Sequence, residues 1–235
     1  LVAVAEDGGR EVISYAQLAA HVAGLQRAMK DAGISSGDRV AAFMPNTWQT
    51  VAGMLAASSL GAIWSSCSPD FGTQGVIDRF GQIEPVLLIA CAAYRYAGKV
   101  VDLTDKVNQV LAQLPSLRQV VIVPYARESA SDADFASLAR VILWKDFYQP
   151  GGAPEFIALP FDHPLYILYS SGTTGVPKCI VHGSGGTLLQ HLKEHGLHTD
   201  LCAEDVLFYY TFSAGAREGQ RIAPAPRGWP GRRYS

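Results

Sequence analysis

Tyr166-Ile-Leu-Tyr-Ser-Ser-Gly-Thr-Thr-Gly-Val-Pro-Lys178 decides the reading of this chain. The apolar run from Leu165 to Tyr169 is short, aromatic and β-branched, which predicts a buried strand. Two serines, a glycine, two threonines and a second glycine then cut it off. Glycines admit φ > 0, so the amides of such a loop can turn inward as an anion nest. Pro177 fixes one φ just before Lys178, a flexible cation at the end of the loop. Hydroxyls, free amides and an ammonium group together form a cradle suited to phosphate oxygens.

Ser/Thr/Gly clusters are often ordinary turns, so the spacing has to be tested. A P-loop NTPase requires G-x-x-x-x-G-K-[ST]. From Gly172 the chain reads Gly-Thr-Thr-Gly-Val-Pro-Lys, and Cys179 follows where Ser or Thr belongs. That spacing opposes a Walker A loop, which leaves a P-loop NTPase behind the other readings. The stretch instead resembles the phosphate loop of the adenylate-forming (acyl-CoA synthetase) superfamily, Ser-Ser-Gly-Thr-Thr-Gly-x-Pro-Lys after an apolar strand. Every position from Ser170 to Lys178 is filled. The resemblance implies ATP phosphate contacts from Ser170, Ser171, Gly172, Thr173, Thr174, Gly175 and Lys178. Within that set, the resemblance implies catalytic roles for Lys178 and Thr173.

The next residues narrow the resemblance. Cys179-Ile-Val-His-Gly-Ser-Gly-Gly-Thr-Leu-Leu-Gln-His-Leu-Lys-Glu-His195 is similar to a run of the acetoacetyl-CoA synthetase branch. Trp64-Ser-Ser-Cys-Ser-Pro-Asp-Phe-Gly72 resembles that branch and the acetyl- and propionyl-CoA synthetases. The likeness extends from Leu1 to about Tyr210. It implies joining of acetoacetate, or a similar short acyl acid, to CoA. ATP and Mg²⁺ take part, and the path runs through an acyl-adenylate with AMP and pyrophosphate as products. The family's later motifs do not occur here: the acidic residue that meets ATP and Mg²⁺, the ribose-binding Asp, the hinge, and the small C-terminal domain with its lysine. The expectation is therefore a partial AMP-binding (adenylation) domain over 1–211 that is inactive alone. The alternative is a non-catalytic fragment that binds nucleotide weakly.

The totals are compatible with this. The chain has 235 residues, 49% hydrophobic and 17% charged, enough for a sizeable core. A net charge of −2 argues against a nucleic-acid or membrane-surface binder. Cys67, Cys91, Cys179 and Cys202 are far apart with no C-x-x-C, which opposes a zinc site and a disulfide framework. This usage fits a reducing cytosol, so a cytoplasmic location is expected. No apolar run reaches membrane-spanning length. The start lacks an initiator Met and a charged signal-peptide head, so the chain reads as truncated there.

Along the chain, strands and helices alternate. Ser14 caps a helix with an apolar face of Tyr15, Leu18, Ala19, Val22, Leu25 and Met29, ended by Gly33. A strand over 38–43, a helix over 47–60, a strand over 62–66 and a helix over 72–83 follow. A strand over 85–90, a helical stripe from Leu103 to Leu114 and a strand over 119–123 complete the series. The strands are apolar throughout, which predicts an α/β fold with a mostly parallel sheet flanked by helices. In the superfamily it resembles, this is part of the large N-terminal domain. Residues 127–134 read as an exposed loop, and 149–154 as a second, flexible connection.

Three smaller features remain. Arg95-Tyr-Ala-Gly-Lys99 follows a strand end, where open α/β sheets place ligands. By itself it is a solvated basic turn. In the acetyl-CoA synthetase relatives a similar segment helps hold the CoA nucleotide, which implies CoA contact by Arg95 or Lys99. Trp64–Gly72 reads as a strand end running into a polar turn. His182, His191, His195 and His198 resemble a metal set, but Leu192 follows His191 where H-E-x-x-H requires Glu, so no metal site is expected.

From 212 to 235 the character changes. Five arginines, four glycines and three prolines occur without lysine and without periodicity. The family's Trp-bearing acyl-pocket segment is not found here. This composition cannot bury enough surface to order itself, so the segment reads as disordered or as out-of-frame translation. Deleting Phe212 to Ser235 is expected to leave the melting temperature unchanged or slightly higher in calorimetry. A clear drop would mean that the tail packs.

Overall fold

Leu87-Leu-Ile-Ala-Cys91 and Val120-Val-Ile-Val123 have no polar face to offer water, so both their faces must be covered. The computed structural model describes residues 1–5, 8–126, 140–170, 175–203 and 205–207. The chain opens with an antiparallel hairpin, β1 (Val2–Val4) and β2 (Arg10–Val12), followed by helix α1 (Tyr15–Asp31). Then come β3 (Arg39–Phe43), α2 (Trp48–Ser59), β4 (Ile63–Cys67), α3 (Thr73–Ile83) and β5 (Leu87–Cys91). A second hairpin, β6 (Ala93–Tyr96) and β7 (Lys99–Asp102), precedes α4 (Thr104–Gln113) and β8 (Gln119–Val123). After β9 (Val141–Leu143) and the one-turn α5 (Trp144–Phe147) come β10 (Pro164–Ser170), β11 (Lys178–Gly183) and α6 (Ser184–Leu192). A π-helical turn, Lys193–His198, continues α6.

Seven strands form one sheet in the order β11-β10-β4-β3-β5-β8-β9. The chain steps from β3 to β4 in one direction and to β5, β8 and β9 in the other, the doubly wound pattern that opens a crevice at the carboxyl edge. All pairs are parallel except β10 with β11. The antiparallel edge was not expected from the sequence. Its cause is the short connection, residues 171–177, since a parallel crossover needs a dozen residues or more. Helices pack in pairs, α1 with α2 and α3 with α4. The interior strands carry the core: Val40 to Phe43, Leu87 to Cys91 and Val121 are fully buried. No helix among the described residues is long and apolar enough to cross a membrane.

Helix α1 begins at a reciprocal cap. Ser14 Oγ accepts from the Gln17 amide at 3.1 Å, and Gln17 Oε1 accepts from the Ser14 amide at 2.8 Å. Gly33 (φ +75°) follows its end. Val22, Leu25 and Met29 are buried as expected, whereas Tyr15 is 86% exposed. Burial along α1 starts only at Val22, so the first turns lie beyond the packed layer.

Residues 149–154, expected to be a flexible connection, are tied to α1. Gly151 N donates to the Ala20 carbonyl at 3.0 Å, and Arg27 Nη1 donates to the Gly151 carbonyl at 2.6 Å. Buried Gln26 grips the next residues: its amide nitrogen donates to Ser59 Oγ and the Glu155 carbonyl, and its Oε1 accepts from the Glu155 amide. Ile157 N bonds the Ser59 carbonyl, and His163 Nε2 lies 2.8 Å from the Gly61 carbonyl oxygen. This strap crosses four strands to carry the chain from β9 to β10, about 24 Å. Aromatic contacts hold its start. His21 stacks on Trp48 at 4.2 Å and places Nδ1 2.9 Å from the Tyr148 hydroxyl, and Trp144 lies 4.7 Å from the Tyr148 ring. The expected loop over 127–134 and the tail 212–235 lie outside the described residues.

Gly24 sits under the strap, and a Cβ there would stand 2.2 Å from the Gln149 carbonyl oxygen. Gly24→Ala gains about 1 kcal/mol of helix propensity. It forces backbone apart at a cost of about 1–3 kcal/mol or more, so a net loss of stability is expected in urea titration. Burial pushes the His21 pKa below its ordinary 6.5, opposed by Glu11. The unfolded chain therefore binds this proton more readily, and the stability held by neutral His21 is lost as pH falls through about 6.5. The melting temperature should drop between pH 7.5 and 5.5, and His21→Phe should show a smaller drop.

Candidate phosphate and nucleotide site

The carboxyl ends of the parallel strands share one edge of the sheet. From that edge leave the segment 171–177 after β10, the turn Ser68–Gly72 after β4, and the hairpin β6–β7 after β5. Open α/β sheets bind ligands in this position.

Ser170 ends β10 and Lys178 begins β11, and the two are paired across the ladder. Lys178, expected at the end of a loop, is thus the first residue of a strand. The β-branched pair Ile180-Val181 between Lys178 and Gly183 is the sequence signal that could have located β11. Gly175 adopts φ +94°, with nothing within 4 Å of an added Cβ. Its requirement for glycine comes from the backbone, since an L side chain is strained at that φ whatever the space. Pro177 precedes β11, and its carbonyl accepts from Gln82 Nε2 of α3 at 2.8 Å. Lys178 is exposed, and its ammonium meets no carboxylate among the described residues. Ser171, Gly172, Thr173 and Thr174 lie outside the described residues.

The end of β10 packs inward. Tyr169 is 5% exposed, and Ser65 Oγ of β4 lies 2.9 Å from both its hydroxyl and the Ile167 carbonyl oxygen. Burial raises the Tyr169 pKa, so the phenol stays protonated and can donate. The Cys67 thiol at the end of β4 is pushed up to about 12 by burial, partly offset by Arg79. A thiol held so high carries no thiolate at neutral pH and is no nucleophile.

Trp64–Gly72 is a buried strand end followed by a turn, as expected: Trp64 is 4% exposed and Cys67 fully buried. Ser68 Oγ donates to Asp70 Oδ2 at 3.1 Å. Lys106 Nζ of α4 donates to the Pro69 and Phe71 carbonyls at 3.0 Å each. Burial lowers the Lys106 pKa, and Asp70 acts against that shift.

Arg95 and Lys99 were expected on a basic turn. The turn itself is Ala97-Gly98, both at positive φ, and the two cations stand in the strands of the hairpin. Arg95 pairs with Val100 and Lys99 with Tyr96, so the cations lie on opposite faces. One ligand approaching one face meets one of them. The hairpin leaves β5, three strand spacings from β10, so about 14 Å separates the ends of these two strands along the sheet edge. The histidines divide too: His182 lies on β11 beside Tyr166, while His191 and His195 neighbour each other on α6 and the π turn. Among the described residues no three His, Cys, Asp or Glu side chains are grouped to hold a metal ion.

Comparison with known proteins matches this arrangement. The family described as AMP-binding enzyme matches residues 1–213. An acetoacetyl-coenzyme A synthetase of Rhizobium meliloti (strain 1021) is 54% identical over 209 residues, which are 86% of this chain and 32% of that protein. The acetoacetyl-CoA synthetase of Danio rerio is 47% identical over 205 residues, 85% of this chain and 30% of that one. The solved acetoacetyl-CoA synthetase from Streptomyces lividans superposes with a TM-score of 0.83 at 41% identity, over 90% of this chain and 32% of that chain. The chain thus spans about a third of the length of the curated relatives it matches. Sheet order, the turn after β4 and the Ser170–Lys178 stretch lie within the matched residues, and the chain belongs to the AMP-binding enzyme family.

Proposed function

We propose that the chain carries the phosphate-loop part of an acid–CoA ligase, with acetoacetate as the acid and residues 1–211 as part of its adenylation domain. One observation carries the reading: the Ser170–Lys178 stretch leaves the carboxyl edge of a parallel sheet with its lysine exposed at the close of the loop. The names of the relatives supply the acid.

In this reading the acid's carboxylate attacks the α-phosphorus of ATP, and negative charge builds on the departing β,γ-phosphates. The amides of 171–175, the Thr173 and Thr174 hydroxyls and Lys178 stabilise that charge as it forms. The Thr173 and Thr174 hydroxyls would also suit Mg²⁺, which would supply charge neutralisation for the leaving group. The CoA sulfur then displaces AMP, with Arg95 or Lys99 contacting the CoA nucleotide from one face of the hairpin. A second reading, nucleotide binding without turnover, is favoured by the chain's span of 32% of its Rhizobium relative. Acetoacetate-dependent ATP–pyrophosphate exchange separates the two. Exchange supports adenylation, and MgATP binding without exchange supports the second.

Lys178→Ala removes the charge-assisted contact, which contributes about 1.5–3 kcal/mol. Exchange, or MgATP affinity if exchange is absent, should fall by about ten- to a hundred-fold. Thioester formation from preformed acyl-adenylate and CoA should fall much less, because pyrophosphate has already left. Equal losses in both half-reactions would assign Lys178 to the fold of the loop.

A further inference from the structure

A cation stands where the two motif-bearing segments meet. The Arg79 guanidinium of α3 lies 4.4 Å from the centre of the Phe71 ring and 5.7 Å from that of Tyr169. Phe71 belongs to the turn after β4, and Tyr169 immediately precedes Ser170 in β10. Arg79 Nη1 donates to the Gly75 carbonyl at 2.7 Å. Its Nε is buried with no partner, and no carboxylate pairs with it among the described residues. Three residues on, on the same helix face, Gln82 holds the Pro177 carbonyl. Helix α3 thus touches the chain on both sides of the loop, at Tyr169 before it and at Pro177 after it.

We propose that Arg79 is a positioning residue that orients the phosphate-loop strand β10 against the turn Ser68–Gly72. The proposal rests on the reading of 170–178 as a phosphate loop. A half-buried guanidinium with an orphan Nε is a poor filler, since an apolar side chain would occupy the space without desolvating a charge. What the charge adds is direction, because its attraction to an aromatic face weakens when the ring tilts or withdraws. Phe71 is the fixed side of the clamp. Lys106 holds the carbonyls flanking Asp70. Tyr169 is the side that needs holding, because β10 pairs with β4 through two registered positions.

Arg79→Met and Arg79→Lys are similar in length, and only the second keeps the charge. Amide hydrogen exchange on the full chain is the readout. Arg79→Met should speed exchange of the 170–178 amides by about ten-fold or more while β3 and β5 keep theirs. Arg79→Lys should recover at least half of that change on a logarithmic scale. Unchanged exchange in 170–178, equal acceleration in β3 and β5, or no recovery by lysine each overturns the proposal. If Arg79→Met does not fold, Phe71→Leu removes one ring and leaves the charge, and it must loosen the same amides or the proposal fails. MgATP protection of these amides in the unaltered chain tests the phosphate-loop reading separately. Its absence counts against that reading and leaves the exchange result standing.

Discussion

The site depends on a narrow seam between β4 and β10. Two registered pairs join the strands, Tyr166 with Trp64 and Ile167 with Ser65. A single buried hydroxyl, Ser65 Oγ, closes the seam against the Ile167 carbonyl and the Tyr169 phenol. An unsatisfied polar group in such a place costs about 1–3 kcal/mol, so the three atoms hold one another in a single arrangement. This seam brings Tyr169 and Ser170, far distant in sequence, towards the turn that follows β4.

The seam can form only because the strap carries the chain across the sheet. Gln26 acts as an extra strand edge here, offering donor and acceptor to one backbone residue, Glu155. Gly24 clears the space, and the His21–Trp48–Tyr148 stack fixes the start. Polar residues in the middle of a buried helix face are costly unless every hydrogen bond is made. Gln26 is tolerated because its bonds go to the backbone of Glu155 and to the Ser59 hydroxyl.

The resulting edge separates tasks. Ser170 ends β10, and the β6–β7 hairpin leaves β5, three strand spacings or about 14 Å along the sheet edge. The turn after β4 lies between them, held by Lys106 on one side and Arg79 on the other.

The alternation of apolar strands and helices was legible from composition alone, because interior parallel strands cannot carry a polar face. The reciprocal cap at Ser14 and Gln17 was partly so: the sequence marked Ser14, and the answering Gln17 bond came with the structure. The Ser170–Lys178 stretch stood out as a motif because glycine, hydroxyl and lysine spacing is local, and its phosphate role is the reading proposed for it. Sequence did not reveal the antiparallel turn of β11, since Lys178 reads equally as the end of a loop or the start of a strand. Nor did it mark Arg79, whose partners Phe71 and Tyr169 lie 8 residues before it and 90 after it. It placed Tyr15 on a buried face because helical periodicity describes one helix and cannot say where the neighbouring layer ends. Local pattern determined the elements and the loop. Contacts between distant residues decided which cation faces which ring and which side chains a second ligand could meet, because those depend on register and layer edges that exist only after the chain has packed.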